Sequence, residues 1–117
     1  MSKRDLVLRQ CEHEGLKFGY LRNETRDAAQ GIASFDSMQS AVWKGKKERE
    51  KIFEKYNVYA LQDQEYKLRE KIKLALSCGD RLTEPENVEA IEELGKAKDI
   101  VEEARKLAYA EIEGITL

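Results

Sequence analysis

Apolar residues recur at the three-to-four-residue spacing of an α-helix along most of this 117-residue chain, and Pro85 is its single proline. With seven glycines and one proline the chain has few turn signals, whereas a β-sandwich or barrel needs one about every 8–12 residues. Hydrophobic residues make up 41% of the chain, and their regular spacing excludes a disordered tail. The length is that of one domain. We therefore predict a single all-α domain over residues 1–117.

The first segment is predicted to form one helix from about Lys3 to Ile32, with its apolar residues on a heptad-like seam. Gly15 and Gly19 weaken that helix, but their spacing of four residues allows another backbone to approach closely. They predict a tight helix crossing or a bend. Gly31 is expected to end the helix.

The second segment begins at Ser34, a typical N-cap residue, and ends at Gly79, a typical C-cap glycine. Its apolar pattern changes phase at Asn57, where we predict a kink, a stutter or a short loop. The pattern leaves open whether the segment is one helix of about 40 residues or two of about 20. Gly45 lies on the seam, and the lysines around it are expected to be exposed. Four polar residues fall on the predicted seams: Glu14, Thr25, Arg49 and Asp63.

The third segment is predicted to be a helix that has Pro85 in its first turn and runs to about Glu113. We expect a capping box, in which Thr83 accepts a hydrogen bond from the Glu86 amide and the Glu86 side chain reaches back. Alanines recur along one side of this helix and predict close approach to a neighbour. Together the segments predict an antiparallel bundle of three long helices, or of four if the middle helix breaks near Asn57.

Charge is distributed unevenly, although the net charge is only −2. Residues 28–80 carry ten basic and eight acidic side chains, whereas residues 81–117 carry five and ten. This polarity predicts complementary packing of neighbouring helices rather than attraction to a polyanion. No apolar leader and no apolar stretch of about 20 residues is evident. With two cysteines far apart, we expect a cytoplasmic protein with reduced thiols and no membrane association.

No motif in the sequence predicts catalysis. The single histidine, His13, cannot supply the two Glu-x-x-His motifs of a di-iron bundle and is expected at the surface. Cys11 and His13 are two residues apart on a helix and point to different faces, which argues against zinc. Neither Cys11 nor Cys78 lies in a nucleophile motif, and glycine-rich phosphate-binding loops are absent from the sequence. We therefore expect no catalytic residue, no metal site and no cofactor.

Two alternative functions stay open. Carboxylates at the E-x-x-E and E-x-x-D spacings of all-helical, metal-dependent nucleotide hydrolases occur, although their order along the chain is reversed. A nucleic-acid-associated regulator would use Trp43 and the cations that follow it, but interleaved glutamates favour ion pairing on a solvated face instead. The carboxylate pairs concerned are Glu86/Glu89, Glu89/Glu92 and Glu24/Asp27.

Five aromatic residues lie between positions 43 and 66, whereas the last helix has only Tyr109. Tyrosine and tryptophan combine a large apolar area with a polar group at the tip. They can therefore either pack over the alanine-rich helix within the monomer or form a partner-binding surface. We expect a non-enzymatic protein–protein interaction module, such as an adaptor, chaperone, inhibitor or assembly component, that binds another protein and can form homo-oligomers. A phage or mobile-element inhibitor of a host enzyme would also fit. The candidate partner-binding residues are Trp43, Lys46, Lys47, Tyr56, Tyr59 and Tyr66.

Overall fold

The computed structural model describes residues 2–18, 23–79 and 81–117, except for the side chain of Glu24. Every regular element in these ranges is helical, which confirms the predicted all-α class. No helix in these ranges is both long enough and apolar enough to cross a membrane. The five described helices are α1 (Lys3–Phe18), α2 (Asn23–Gln30), α3 (Phe35–Lys55), α4 (Val58–Ser77) and α5 (Pro85–Gly114).

The chain packs as two compact units. The first comprises Met1–Ile52 and Tyr109–Leu117, and the second comprises Phe53–Ala108. Each unit has its own buried apolar side chains, such as Met38 in the first and Val101 in the second. The antiparallel bundle of three or four long helices is not confirmed by this grouping and stays a prediction.

The segment over residues 3–32 contains two described helices rather than the single predicted one. α1 and α2 pack against each other, and Cys11 of α1 and Ala29 of α2 are both fully buried in one cluster. A single straight helix cannot bring two such positions together, so this prediction was wrong. Gly19, which we expected at a crossing or a bend, lies outside the described residues. Gly31 directly follows the end of α2, as predicted.

α1 and α3 cross at two glycines. A Cβ atom placed on Gly45 would lie 2.7 Å from the carbonyl carbon of Gly15, and closer still to the Glu12 oxygen and the Leu16 nitrogen. A Cβ atom placed on Gly15 would lie 3.0 Å from the Cα of Val42. Any larger residue would therefore push the two backbones apart. The tight crossing predicted for Gly15 is confirmed, and Gly45 is its counterpart in α3.

Three polar residues lie on the predicted seams of the first unit, and all three are at least partly buried. Glu14 is buried and accepts a hydrogen bond from Gln10 Nε2 at 3.2 Å. Arg49 is half-buried, and its Nη2 atom donates to the Tyr109 hydroxyl at 3.4 Å. Thr25 is buried as well. These seam assignments are confirmed.

Asn57 separates α3 from α4 and has a left-handed backbone, with φ 57° and ψ 28°. Asparagine is one of the few residues that adopt this conformation at small cost. The middle segment is therefore two helices, of 21 and 20 residues. The break shifts the buried face of the chain by two positions. As a result Asp63 is exposed, contrary to its predicted place on the seam, and Glu65 is half-buried instead and pairs with Arg69 at 2.7 Å.

Two predicted helix boundaries are confirmed. Ser34 Oγ accepts a hydrogen bond from the Ser37 amide at 3.2 Å and so caps the start of α3. Gly79 follows α4 with a φ of 86°, and its amide donates to the Leu76 carbonyl at 3.1 Å. A left-handed glycine at this place satisfies one of the free carbonyl groups at the helix end. Asp80, the residue after this glycine, lies outside the described residues.

α5 begins at Pro85, as predicted, but without the predicted capping box. The structure, which describes both Thr83 and Glu86, shows no hydrogen bond between them. Instead Asn87 Nδ2 donates to the Arg81 carbonyl at 2.8 Å. This bond connects the first turn of α5 to the preceding loop. It thus fixes the start of the helix, as the predicted capping box would have done.

In the second unit α4 and α5 form an antiparallel pair. With the Gln62 amide oriented so that its oxygen faces Arg105, this oxygen accepts from Arg105 Nε at 2.9 Å. Towards the other end of the pair, Ile72 and Ala75 line a common hollow with Ala90. The less exposed side chains of α5 alternate at spacings of three and four residues, the heptad pattern of paired helices. Those that belong to the second unit are Asn87, Ala90, Leu94, Ala97, Val101, Ala104 and Ala108.

Candidate partner-binding face

An open groove of about 670 Å³ runs along α3 in the first unit. Phe35 and Trp43 both line it and stay 60% and 57% exposed. They lie eight residues apart on one i, i+4, i+8 ridge of the helix, with Gln39 between them, which corresponds to about 12 Å. Met38, which is fully buried, and half-buried Val42 line the groove from the core side. We call this feature the Phe35–Trp43 groove.

The buried side of α3 determines where Trp43 points. Met38, Ala41 and Gly45 follow one another at spacings of three and four residues, and all three are buried. At 100° per residue, Trp43 falls on the opposite side of the helix from these three. The Gly15–Gly45 contact sets that rotation, because no other side of α3 could approach α1 so closely.

Cations surround the Phe35–Trp43 groove. Lys46 of α3 and Arg26 of α2 line it, together with the carboxylate of Asp36. The Lys47 ammonium lies 5.7 Å from the centroid of the Trp43 ring, a cation–π distance. Lys46 and Lys47 are exposed, and neither ammonium belongs to an ion pair among the described residues. The groove is thus apolar towards the core and basic at its edge.

The three predicted tyrosines belong to the second unit. Tyr59 is exposed and makes an edge-to-face contact with Phe53, with ring centroids 5.7 Å apart. Tyr66 is exposed one heptad further along α4. Tyr56 is half-buried, and the Lys55 ammonium lies 5.4 Å from its ring centroid. Of the six predicted site residues, the structure brings Trp43, Lys46 and Lys47 together on α3, while the three tyrosines belong to the second unit.

Two residues of this groove, Phe35 and Arg26, were not among the predicted site residues. Phe35 lies in the first turn of α3, outside the aromatic cluster that we read from the sequence, although its spacing of eight residues from Trp43 was a usable signal. Arg26 belongs to α2. No spacing along the chain relates it to Trp43, since that relation depends on how α2 packs against its neighbours.

A second hollow, of about 500 Å³, lies between α1, α3 and residues 115–117. His13 Nε2 lies 3.1 Å from the carbonyl oxygen of Ile115, and because a carbonyl only accepts, the imidazole donates through Nε2–H. Its Nδ1 atom is buried without a partner among the described atoms. Lys17 and Glu113 form an ion pair nearby at 3.3 Å. His13 is therefore half-buried and ties the segment after α5 to α1, which corrects its predicted place at the surface.

The two cysteines, neither of which we predicted to be a nucleophile, differ in burial. Cys11 is fully buried, and burial raises the pKa of its thiol, with a further contribution from the carboxylates of Glu12 and Glu14. Cys78 is exposed and free. Within the described part of the chain, no three His, Cys, Asp or Glu side chains are grouped so that they could hold a metal ion. The carboxylate of Glu24, which belongs to one of the E-x-x-D pairs, is outside that part.

Fold and site together define a class in structural terms: an all-α protein with an exposed aromatic groove whose edge is basic. Comparisons of the chain with protein-family models, with curated proteins and with solved structures find no match. The chemistry of the groove is therefore the basis for inferring what the protein does.

Proposed function

We propose that this protein is a non-enzymatic interaction module that binds another protein through the Phe35–Trp43 groove of α3. The observation that carries the proposal is the exposure of two large aromatic side chains along one apolar groove. Tryptophan is the residue type most enriched among the energetic anchors of protein interfaces, and such anchors cluster where water can be excluded. The groove provides both conditions.

The energetics favour a partner over solvent exposure. Full burial of a large apolar side chain is worth about 1.5–3 kcal/mol, and neither Phe35 nor Trp43 gains that within the first unit. An aromatic ring also has few rotatable bonds, so it loses little conformational entropy when a partner covers it. A protein segment that covers both rings would recover this free energy on binding.

The same proposal covers the other predicted features. Adaptors, chaperones, inhibitors and assembly components all act by such contacts, in the cytoplasm and without a reaction of their own. Tyr59 and Tyr66 of α4, and Tyr56 just before it, stay candidate partner-binding residues. The antiparallel association of the long helices into one domain is retained as part of the proposal, and the antiparallel pairing of α4 with α5 supports it.

Site-specific photo-crosslinking tests the proposal. A photo-reactive amino acid replaces Gln39 in the groove, and in a control variant it replaces Leu74, an exposed residue of α4. In cells of the source organism, position 39 is expected to cross-link to one protein that position 74 does not capture. That protein is then purified and its affinity measured for the wild type and for Trp43→Ala.

We expect Trp43→Ala to weaken the purified complex at least about tenfold, or 1.4 kcal/mol. Leu74→Ala is the matched control and should leave the affinity unchanged. Circular dichroism checks that both variants keep their helical content. If position 39 captures nothing specific, or if folded Trp43→Ala binds the partner as the wild type does, the groove is not the binding site.

A further inference from the structure

We infer that the occupant of the Phe35–Trp43 groove is an acidic amphipathic helix, whose apolar side chains lie between the two rings and whose carboxylates pair with Arg26, Lys46 and Lys47. This inference rests on the proposed function and adds the chemistry of the partner. It follows from the dimensions of the groove, the charge at its edge and the apolar surface on its core side.

The dimensions suit two turns of a helix. Phe35 and Trp43 are about 12 Å apart along α3, and two helical turns rise about 10.8 Å. A partner helix therefore presents apolar side chains at i, i+4 and i+7 over this distance, the usual spacing of helix-in-groove recognition. The half-buried Val42 offers these side chains an apolar surface, and the fully buried Met38 also lines the groove on its core side.

The basic residues at the edge of the groove determine which charges are favourable beside the apolar face of the partner helix. Neither Lys46 nor Lys47 belongs to an ion pair among the described residues, and the Arg26 guanidinium bonds to the neutral Asn23 Oδ1 at 2.7 Å. Among the described residues that line the groove, Asp36 is the single acidic one. Exposed ion pairs add little affinity, but like charges placed together are strongly disfavoured. A helix with basic flanks is thus rejected and one with acidic flanks accepted.

The groove suits an acidic helix better than it suits nucleic acid. Stacking on a base needs a free ring face, and the Lys47 ammonium lies over the Trp43 ring at 5.7 Å. The Asp36 carboxylate lines the groove where a phosphate would approach. Arg26 and Lys46 would bond to a phosphate as well as to a carboxylate, but Met38 and Val42 on the core side of the groove suit an apolar side chain and offer a phosphate no hydrogen bond.

A second copy of the chain offers a surface of mixed charge. The exposed apolar residues of α5 that repeat at heptad spacing are Ile100 and Leu107. The exposed Glu103 lies between them on the same side of the helix, while Lys96 precedes Ile100 by one turn and Lys106 is adjacent to Leu107. A partner helix whose flanking charges are all carboxylates fits the basic edge of the groove better than this mixed surface does.

The test uses two synthetic 18-residue amphipathic peptides. Both have leucine at i, i+4, i+7 and i+11; one has glutamate at the flanking positions and the other has lysine there. Trp43 is the single tryptophan of the chain, so its fluorescence reports occupancy of the groove directly. We expect the acidic peptide to shift Trp43 emission to shorter wavelength and to bind at least about tenfold more tightly than the basic peptide.

Charge reversal at the edge provides the matched comparison. Lys46→Glu should weaken binding of the acidic peptide several-fold and strengthen binding of the basic peptide, whereas Lys98→Glu, an exposed reversal on α5, should change neither. Equal affinities for the two peptides would overturn the inference. So would tighter binding of a 20-nucleotide single strand, or a dimer in sedimentation that Lys46→Glu dissolves.

The two proposals fail in distinguishable ways. If the protein cross-linked at position 39 depends on Trp43 but the acidic peptide does not bind, the partner chemistry is wrong and the interaction module stands. If neither the cross-linked protein nor the acidic peptide responds to Trp43→Ala, both are wrong.

Discussion

Gly45 of α3 lies directly on the backbone of Gly15 in α1, so closely that a Cβ atom at position 45 would be 2.7 Å from the Gly15 carbonyl carbon. The two residues are 30 positions apart in the chain, and neither offers a side chain to the contact. The contact nevertheless sets the separation of the two helices and the rotation of α3. That rotation places Trp43 at the surface, so the candidate site depends on two residues that do not belong to it.

Gly45→Ala is expected to destabilise the protein by about 1–3 kcal/mol, because the added methyl group meets backbone atoms that cannot move aside. The control is Gly95→Ala in α5, where a Cβ atom meets nothing within 4 Å. There the substitution should stabilise by up to about 1 kcal/mol, because alanine favours the helix. Urea unfolding measures both free energies. A similar effect for the two variants would show that the crossing is not tight.

Asn57 should tolerate glycine but not a β-branched residue. Its φ of 57° is accessible to glycine without strain, so Asn57→Gly should change the free energy of unfolding little. Asn57→Val should cost about 1–2 kcal/mol, since valine clashes with its own backbone in the left-handed region. Thermal unfolding followed by circular dichroism compares the two variants. Equal melting temperatures would mean that the break between α3 and α4 does not need this conformation.

His13→Ala should loosen the segment after α5. The substitution removes the hydrogen bond to the Ile115 carbonyl, worth about 1 kcal/mol. Hydrogen exchange of residues 113–117, followed by mass spectrometry, should therefore become several-fold faster, while exchange in α4 stays unchanged. His13→Gln keeps a side-chain N–H donor and should restore part of the protection. Unchanged exchange in His13→Ala would show that this bond does not hold the segment.

Cys11 should resist alkylation to a higher pH than Cys78. Burial raises the pKa of the Cys11 thiol, so at any given pH less of it is the reactive thiolate, and access is restricted as well. Because the raised pKa belongs to the folded state, its contribution to stability is present at neutral pH and is lost as the pH rises through the folded-state value. Mass spectrometry of iodoacetamide-treated protein at pH 7–10 measures both cysteines at once. Equal modification rates in folded protein would contradict the burial of Cys11.

Features that depend on residues within one or two helical turns could be read from the sequence. Ser34 caps α3 and Pro85 starts α5, and the alanines of α5 do mark its paired side. The phase change at Asn57 also marked a break, because the apolar pattern before it cannot continue on the same face after it. The predicted box between Thr83 and Glu86 failed although it is local, since Asn87 and the Arg81 carbonyl satisfy each other instead.

Part of the candidate site was predictable in the same way. Trp43, Lys46 and Lys47 lie within four residues on one helix, and a helix keeps such neighbours together in any fold. Phe35 and Arg26 complete the groove from one end of α3 and from α2. Tyr56, Tyr59 and Tyr66 were grouped with Trp43 by proximity in sequence, but they belong to the second unit and Trp43 belongs to the first.

The sequence by itself determined the all-α class, the positions where most helices begin and end, and the aromatic and basic character of α3, because these depend on backbone propensity and short-range spacing. Tertiary structure alone decided that α1 and α2 fold against each other, that Gly15 meets Gly45, and that His13 holds Ile115. Each of these contacts joins residues at least 18 positions apart. Which residues meet depends on which helix surfaces pack together most closely and exclude water. A short-range sequence pattern does not contain this information, because it involves residues that are distant along the chain.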